Sequence, residues 1–81
     1  MQEFIDMGDH LKAVFTFGDF VEAIDFVNQV ADAAIEVDHH PDICLHDYKN
    51  VTVILTTHDA GKKVTEKDWN LAVKIKQLLE D

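Results

Sequence analysis

The first part of the chain alternates between apolar and polar residues. This period of two, over residues 11–17, is typical of a strand with one face against a core. Its apolar positions are Leu11, Ala13, Phe15 and Phe17. Residues 2–6 are expected to form a shorter partner strand, reached across a turn at residues 7–9 that contains Gly8. The pattern therefore predicts two paired strands in this part of the chain.

The spacing of apolar residues changes to three or four after Asp19, which predicts a helix from Phe20 to Val37. Its apolar stripe consists of Phe20, Ala23, Ile24, Val27, Val30, Ala31 and Ala34. Asp19 and Glu22 stand three residues apart, the spacing of a capping box that satisfies free amide groups at a helix start. Pro41 disfavours helical backbone at the residue before it, so the helix has to end ahead of this proline.

The second half of the chain repeats this order of two strands and a helix. Residues 42–47 predict a short strand, a turn is expected at Lys49-Asn50, and residues 51–57 are the stretch richest in β-branched residues. One face of this last strand carries Val51, Val53 and Leu55. Residues 58–61 have the composition of a loop, and the final helix is expected to open at Thr65. Its predicted buried face consists of Trp69, Ala72, Val73, Ile75, Leu78 and Leu79.

The resulting order is strand, strand, helix, strand, strand, helix. Such an order predicts an α+β fold, in which an antiparallel four-stranded sheet carries both helices on one face. A chain of 81 residues suffices for one small domain, which we expect to span residues 1–81. A sheet with an uncovered face and free edges favours association, and the core of so short a chain is thin. We therefore expect a homodimer or a homotetramer.

Acidic residues outnumber basic residues by 16 to 7, which gives the chain a formal net charge of −9. Nucleic acid and anionic membrane are not expected as partners, because the sequence lacks the clustered cations that displace counterions from phosphate. No apolar run approaches the roughly 18–20 residues needed to span a bilayer, and no basic-then-apolar leader is seen. The single cysteine, Cys44, permits no internal disulfide, so a reducing cytoplasm is the expected location.

The candidate chemistry lies in the histidines. His39 and His40 stand directly before Pro41, after the first predicted helix, in a segment of restricted backbone. His58 stands where the strongest predicted strand runs into a loop, a place where rigid scaffolds present functional groups. Imidazole titrates near neutral pH and can donate or accept a proton, which suits general acid–base catalysis. The alternative is that all three histidines are ordinary polar surface residues.

Asp68 stands three residues after Thr65, in the first turn of the final predicted helix. A carboxylate there stabilises the helix start by roughly 0.3–1 kcal/mol through amide groups and the helix dipole. A role in orienting a catalytic histidine is compatible with this position. A zinc site is not expected, because adjacent histidines differ from the usual i, i+4 pair and no cysteine cluster accompanies them.

Several short blocks, taken together, resemble the pterin-4a-carbinolamine dehydratase family over about residues 11–79. The blocks are Phe15-Thr16-Phe17, the helix Phe20–Ala34, Asp38-His39-His40-Pro41-Asp42, Tyr48-Lys49-Asn50-Val51, Leu55-Thr56-Thr57-His58-Asp59-Ala60-Gly61, Thr65-Glu66-Lys67-Asp68 and Leu71-Ala72. The double histidine with proline, a following tyrosine and a Thr-His-Asp at a strand end make this combination specific. Several features depart from the family pattern, and two of them bear most on function. Members usually carry a further helix ahead of the first strand, and the usual acidic residue four positions before the first histidine is Ile35 here, with Glu36 one position later.

The resemblance implies a four-stranded antiparallel sheet covered on one side by helices. It also implies dehydration of a 4a-hydroxytetrahydropterin to quinonoid dihydropterin, as in tetrahydrobiopterin recycling, with no metal and no cofactor. By this resemblance His39, His40 and His58 would line the pterin pocket. We expect His40 to be the principal acid or base, with His39 and His58 binding the pterin, and an exchange of these roles would agree equally well with the sequence. Pro41 would shape the pocket, and Asp68 would correspond to the family aspartate near the third histidine. Further contacts would come from Thr57, Asp59 and Ala60.

Two non-catalytic alternatives share the same expected fold. One is a protein-dimerisation module, and the other is a protein that binds a pterin without turning it over. The complete set of histidines favours the dehydratase over the dimerisation module, while the missing helix and the shifted Glu36 keep both alternatives open.

Overall fold

Four antiparallel strands form one sheet, in the order β1-β2-β4-β3. A computed structural model describes residues 3–80. The elements are β1 (Ile5–Asp6), β2 (Leu11–Thr16), α1 (Phe20–Val37), β3 (Asp42–His46), β4 (Asn50–Leu55) and α2 (Glu66–Glu80). The predicted α+β fold with a four-stranded antiparallel sheet is thus confirmed. Of the short strand expected over residues 2–6, Ile5–Asp6 forms β1, and residue 2 lies outside the described part.

The core lies between one face of the sheet and the two helices. In the central pair of strands, Leu11 pairs with Leu55 and Phe15 pairs with Val51. The alternation predicted for β2 and β4 is confirmed, because their apolar positions are fully or almost fully buried on one face. The buried apolar residues are Leu11, Ala13, Phe15, Ala23, Phe26, Val30, Ala33, Ala34, Val51, Val53, Leu55, Leu71, Ala72 and Ile75.

The faces that the two helices turn to this core differ from the predicted faces. Phe20, Trp69 and Val73 were expected to be buried, but they are 51%, 45% and 56% exposed. Phe26 is buried instead, with its ring 4.9 Å from that of Phe15. The expectation for Phe20, Trp69 and Val73 was wrong because these helices carry more apolar residues than one covered side can hold. Contacts with the aromatic side chains of the sheet decide which residues go inside.

Two boundaries around β4 also differ from the sequence prediction. The turn before β4 spans residues 47–49, and Asn50 already pairs with His46, so the turn expected at Lys49-Asn50 was placed too late. β4 ends at Leu55, while Thr57 forms only a single bridge to Lys63. Beyond this end, the Thr57 amide donates to the Lys63 carbonyl at 2.9 Å. Within residues 3–80, no helix is long and apolar enough to cross a membrane.

The predicted start of α1 is confirmed in detail. The Asp19 carboxylate accepts a hydrogen bond from the amide of Glu22 at 2.8 Å, and the Glu22 carboxylate accepts one from the amide of Gly18 at 3.0 Å. These two bonds satisfy amide groups that the helix itself leaves free. The capping residues therefore fix where α1 begins.

The end of α1 is fixed by a left-handed residue. Asp38 has φ 53° and ψ 44°, and its amide donates to carbonyl groups of the last turn of the helix. The amide of His39 donates to the carbonyl of Ala34 at 3.1 Å, which completes a Schellman-type closure. The chain therefore leaves the helix in a defined direction, and the two histidines follow at once.

Asp38→Gly should stabilise the protein by about 0.5–1 kcal/mol, because glycine adopts a left-handed backbone without steric cost and removes a negative charge from a helix C-terminus. The matched control is Asp25→Gly, at an exposed position inside α1. There glycine should destabilise the protein by roughly 0.3 kcal/mol, in line with helix propensity. Urea unfolding measures both. Equal loss of stability in the two variants would contradict the role given to the left-handed residue.

Candidate functional site

Three segments of the chain meet at one end of the sheet. The end of α1 delivers His39 and His40, the residues after the central strand β4 deliver Thr57 and His58, and the first turn of α2 delivers Asp68. Each of these residues stands at or just beyond the end of a regular element. The position of the site therefore follows from the packing of α1 and α2 against the sheet.

The Asp68 carboxylate lies beneath the histidines and has no solvent exposure. Its Oδ1 accepts a hydrogen bond from Nε2 of His39 at 2.6 Å. Its Oδ2 accepts one from the Thr57 hydroxyl at 2.8 Å and one from the Thr65 amide at 2.9 Å. A buried carboxylate needs such partners, since an unpaired one would lose its hydration without compensation.

These contacts decide the ionisation of Asp68. Burial alone raises the pKa of its carboxyl group, but the hydrogen bonds from His39, the Thr65 amide and the Thr57 hydroxyl outweigh burial and lower the pKa below its ordinary value. Asp68 is therefore an anion at neutral pH, held entirely by protein groups. Besides the Thr65 amide at the helix start, it binds His39 and Thr57 from other parts of the fold.

The three histidines differ in how firmly they are held. The His39 side chain is only 13% exposed and is anchored on Asp68. His40 is exposed, and so is His58, which begins a short 3₁₀ turn at His58–Ala60. Among the described residues, the rings of His40 and His58 make no hydrogen bond. One imidazole is thus fixed, and two are free to meet a ligand.

A cleft with a volume of about 160 Å³ collects most of these groups. It is lined by Asp38, His39, His40, Thr57, His58, Asp59 and Lys67. A second hollow of about 340 Å³ adjoins it and shares Asp38, His39 and Lys67. The side chain of His39 therefore borders both spaces. A flat, polar molecule of a few rings could lie across this anchored imidazole.

The structure brings together most of the residues singled out from the sequence. Pro41 and Ala60 are not among the residues that line the cleft, although each is next to one that does. The sequence analysis missed Lys67, which lines the cleft as its one lysine, and it treated Thr65 only as a helix start. A lysine in the first turn of a helix is usually solvated, so only its position opposite the end of α1 could have identified it.

The polar groups around the cleft are imidazoles, carboxylates, the Thr57 hydroxyl and the Lys67 ammonium group. In the part of the chain covered by residues 3–80, no three His, Cys, Asp or Glu side chains are arranged to hold a metal ion. The arrangement can bind a polar ring system by hydrogen bonds and can move protons through imidazoles near neutral pH.

Comparison with known proteins identifies the family of this chain. The family described as pterin 4 alpha carbinolamine dehydratase matches residues 3–78. The chain belongs to this family. A relative from Cyanothece sp., named "Putative pterin-4-alpha-carbinolamine dehydratase", is 49% identical over 89% of this chain and 72% of its own length. A relative of the same name from Sulfurisphaera tokodaii is 47% identical over 89% of this chain and 75% of its own length.

Solved structures agree with the fold. A transcriptional coactivator/pterin dehydratase from Brucella melitensis superposes with a TM-score of 0.78 at 36% identity, over 94% of this chain and 78% of that one. A pterin dehydratase-like protein, identified as a RuBisCO assembly factor in the α-carboxysome, gives a TM-score of 0.70 at 21% identity, over 85% of this chain and 77% of that one. The second likeness concerns the fold alone. The resemblance inferred from the sequence blocks is confirmed at the level of the family.

The lowered pKa of Asp68 predicts a specific dependence of stability on pH. A carboxyl group whose pKa is lower in the folded protein than in the unfolded chain contributes stability above about pH 4, and this contribution disappears as the pH falls through the folded value. Asp68→Asn should therefore be less stable at pH 7 by roughly 2–4 kcal/mol, and this difference should shrink below pH 4.

Urea midpoints measured from pH 7 to pH 2 test this expectation. Asp32→Asn is the matched control, because Asp32 is an exposed helical aspartate, and its curve should run parallel to that of the wild type. If the Asp68→Asn protein lost as much stability between pH 7 and pH 2 as the wild type loses, Asp68 could not be the ionised, hydrogen-bonded carboxylate described above.

Proposed function

We propose that this protein catalyses the dehydration of a 4a-hydroxytetrahydropterin to quinonoid dihydropterin, in the recycling of a reduced pterin in the cytoplasm. The observation that carries the proposal is the convergence of His39, His40 and His58 on one cleft, with His39 anchored on the buried Asp68. Membership of the family supports the substrate class. No metal and no cofactor takes part in the proposed reaction.

The reaction requires two proton transfers on neighbouring atoms of the pterin. The hydroxyl group on C4a leaves with its bonding electrons and takes up a proton, so that water is released. The adjacent ring nitrogen loses a proton, and its electron pair forms the double bond to C4a. Imidazoles suit both transfers near neutral pH, and a positioned proton-transfer group contributes roughly 10²–10⁴-fold to a rate.

His40 is proposed as the principal acid or base. Its ring is exposed and has no hydrogen-bond partner among residues 3–80, so both ring nitrogens are available to the substrate. His39 and His58 would bind the pterin and stabilise developing charge, His39 from a fixed position and His58 from the turn after β4. Asp68 would orient His39.

The remaining proposed contacts surround these imidazoles. Thr57 and Asp59 line the cleft and would contact the pterin ring. Pro41 would shape the cleft from its place directly after His40, and Ala60 would add a contact from the 3₁₀ turn. Lys67 supplies the one lysine of the cleft, opposite Asp38 and Asp59.

His40→Ala should lower the turnover of 4a-hydroxytetrahydropterin by about 10²-fold or more, because it removes a proton-transfer group. The melting temperature should stay nearly unchanged, since an exposed imidazole without a hydrogen-bond partner adds little packing energy. Stopped-flow spectroscopy of synthetic substrate in a buffer with a metal chelator provides the measurement.

The matched control is His46→Ala, which removes a histidine from β3 whose Nε2 bonds the Thr52 hydroxyl, away from the cleft. This variant should keep wild-type turnover. Loss of wild-type activity on chelation would favour a metal mechanism instead. If the wild type bound the pterin with no turnover at all, the protein would be a binding module of the same fold.

A second proposal concerns assembly, because β3 is an edge strand and one face of the sheet is not covered by the helices. The protein should sediment as a homodimer or a homotetramer at micromolar concentration. Sedimentation equilibrium across the micromolar range tests this directly. A single 9.2 kDa species throughout would refute association.

A further inference from the structure

Two threonine hydroxyls extend the contacts of Asp68, one from Thr57 in the cleft lining and one from Thr65 outside it. The Thr57 and Thr65 hydroxyl oxygens lie 2.7 Å apart, and Thr57 also bonds Oδ2 of Asp68 at 2.8 Å. Thr57 is buried, and Thr65 is half-buried. The proposed reaction assigns no role to the Thr65 side chain.

The direction of these hydrogen bonds follows from counting protons. Asp68 is ionised, so its oxygens only accept. A hydroxyl group has one proton, and Thr57 donates its proton to Asp68. The short contact between the two hydroxyls is therefore a bond in which Thr65 donates and Thr57 accepts. The chain of donors runs from Thr65 through Thr57 to Asp68.

The same reasoning shows which ring nitrogen of His39 carries the proton that faces Asp68. Because Oδ1 of Asp68 can only accept, Nε2 of His39 carries the proton in their 2.6 Å contact. In neutral His39, the unprotonated nitrogen is therefore Nδ1. Two hydrogen bonds to Oδ2 and one to Oδ1 prevent the carboxylate from turning away from the imidazole.

We propose that Thr65 is a positioning residue, whose hydroxyl acts through Thr57 to hold the Asp68 carboxylate under His39 and leaves Nδ1 as the ring nitrogen offered to a substrate. Successive hydrogen bonds polarise one another, by roughly 10–30% per bond, so the Thr65 hydroxyl strengthens the bond from Thr57 to Asp68. That Nδ1 meets a pterin rests on the proposed function. The hydrogen-bond chain itself does not.

A purely structural role for Thr65 in starting α2 makes different predictions. The Asp68 carboxylate bonds the backbone amide of Thr65, and the Thr65 carbonyl accepts from the amides of Asp68 and Trp69. None of these bonds uses the Thr65 hydroxyl. Thr65→Val keeps the shape and the backbone bonds and removes only the hydroxyl, so a structural role would leave Asp68 and His39 unchanged.

The test uses nuclear magnetic resonance on the ligand-free, full-length protein. In the wild type, ¹⁵N spectra of the neutral form of His39 should show the Nε2–H tautomer. In Thr65→Val, the titration of the Asp68 carboxyl carbon should move up by roughly 0.2–0.6 pH units, because the bond from Thr57 is weakened. Thr65→Ser, which restores the hydroxyl, should return the titration to the wild-type position.

Three results would overturn the proposal. They are an Nδ1–H tautomer of His39 in the wild type, an Asp68 titration unchanged in Thr65→Val, and a Thr65→Ser protein that behaves like Thr65→Val. The wild-type tautomer needs no variant, so the proposal stays testable even if Thr65→Val does not fold. The control Thr52→Val, which removes the hydroxyl bonded by His46, should leave both signals unchanged.

Turnover separates this proposal from the proposed function. If the protein is a dehydratase, Thr65→Val should lower kcat about two- to fourfold, and Thr65→Ser should restore it. A wild type without dehydratase activity would contradict the proposed function. The expected spectra of His39 and Asp68 would not change. Unchanged spectra in Thr65→Val would overturn the positioning role, whatever the turnover.

Discussion

The buried charge of Asp68 is the interaction on which the rest of the site depends. A carboxylate without solvent contact is stable only where donors replace its lost hydration, and the penalty for an unpaired buried charge is several kcal/mol. Two of its three donors come from distant parts of the chain, His39 after α1 and Thr57 after β4, while the Thr65 amide is local. The fold therefore cannot place this carboxylate without also bringing the end of α1 and the end of β4 to the start of α2. The site therefore forms when the domain folds, because the same contacts are needed for both.

This arrangement divides the histidines into one fixed and two free members. His39 is held by its backbone amide at the end of α1 and by its ring on Asp68, so its position is set by the scaffold. His40 and His58 lie beside it with exposed rings. Acid–base chemistry on adjacent atoms requires donors and acceptors that approach from different directions. A fixed imidazole can hold the substrate in one position while an exposed imidazole transfers protons. The buried pair of Asp68 and His39 thus orients an imidazole. A hydrophobic pair of similar size would fill the same space but would not fix the position of a ring proton.

The sequence predicted the strands and the helix boundaries well, because these depend on local signals. The alternation over residues 11–17, the capping pair Asp19 and Glu22 and the proline after the histidines each act within a few residues. The faces of the helices were predicted less well, since the choice between Phe20 and Phe26 depends on aromatic contacts made by the folded sheet. The sequence predicted Asp68 in the first turn of the last helix and Thr65 at its opening, but it did not predict that the Asp68 carboxylate is buried. Their shared contacts form only when the segment after β4 reaches the start of α2. The family blocks identified the histidines, but not what holds them.

The connection between α1 and β3, which carries His39 and His40, is short and is held at both ends. Only Asp38, His39, His40 and Pro41 separate the two elements. At one end, the left-handed Asp38 and the bond from the His39 amide fix the exit from the helix. At the other end, Asp42 pairs with Ile54 of β4. A segment this short and fixed at both ends has few backbone conformations open to it. His39 and His40 therefore lie in a loop whose ends are held by helix and sheet, while the ring of His39 is held by the Asp68 carboxylate.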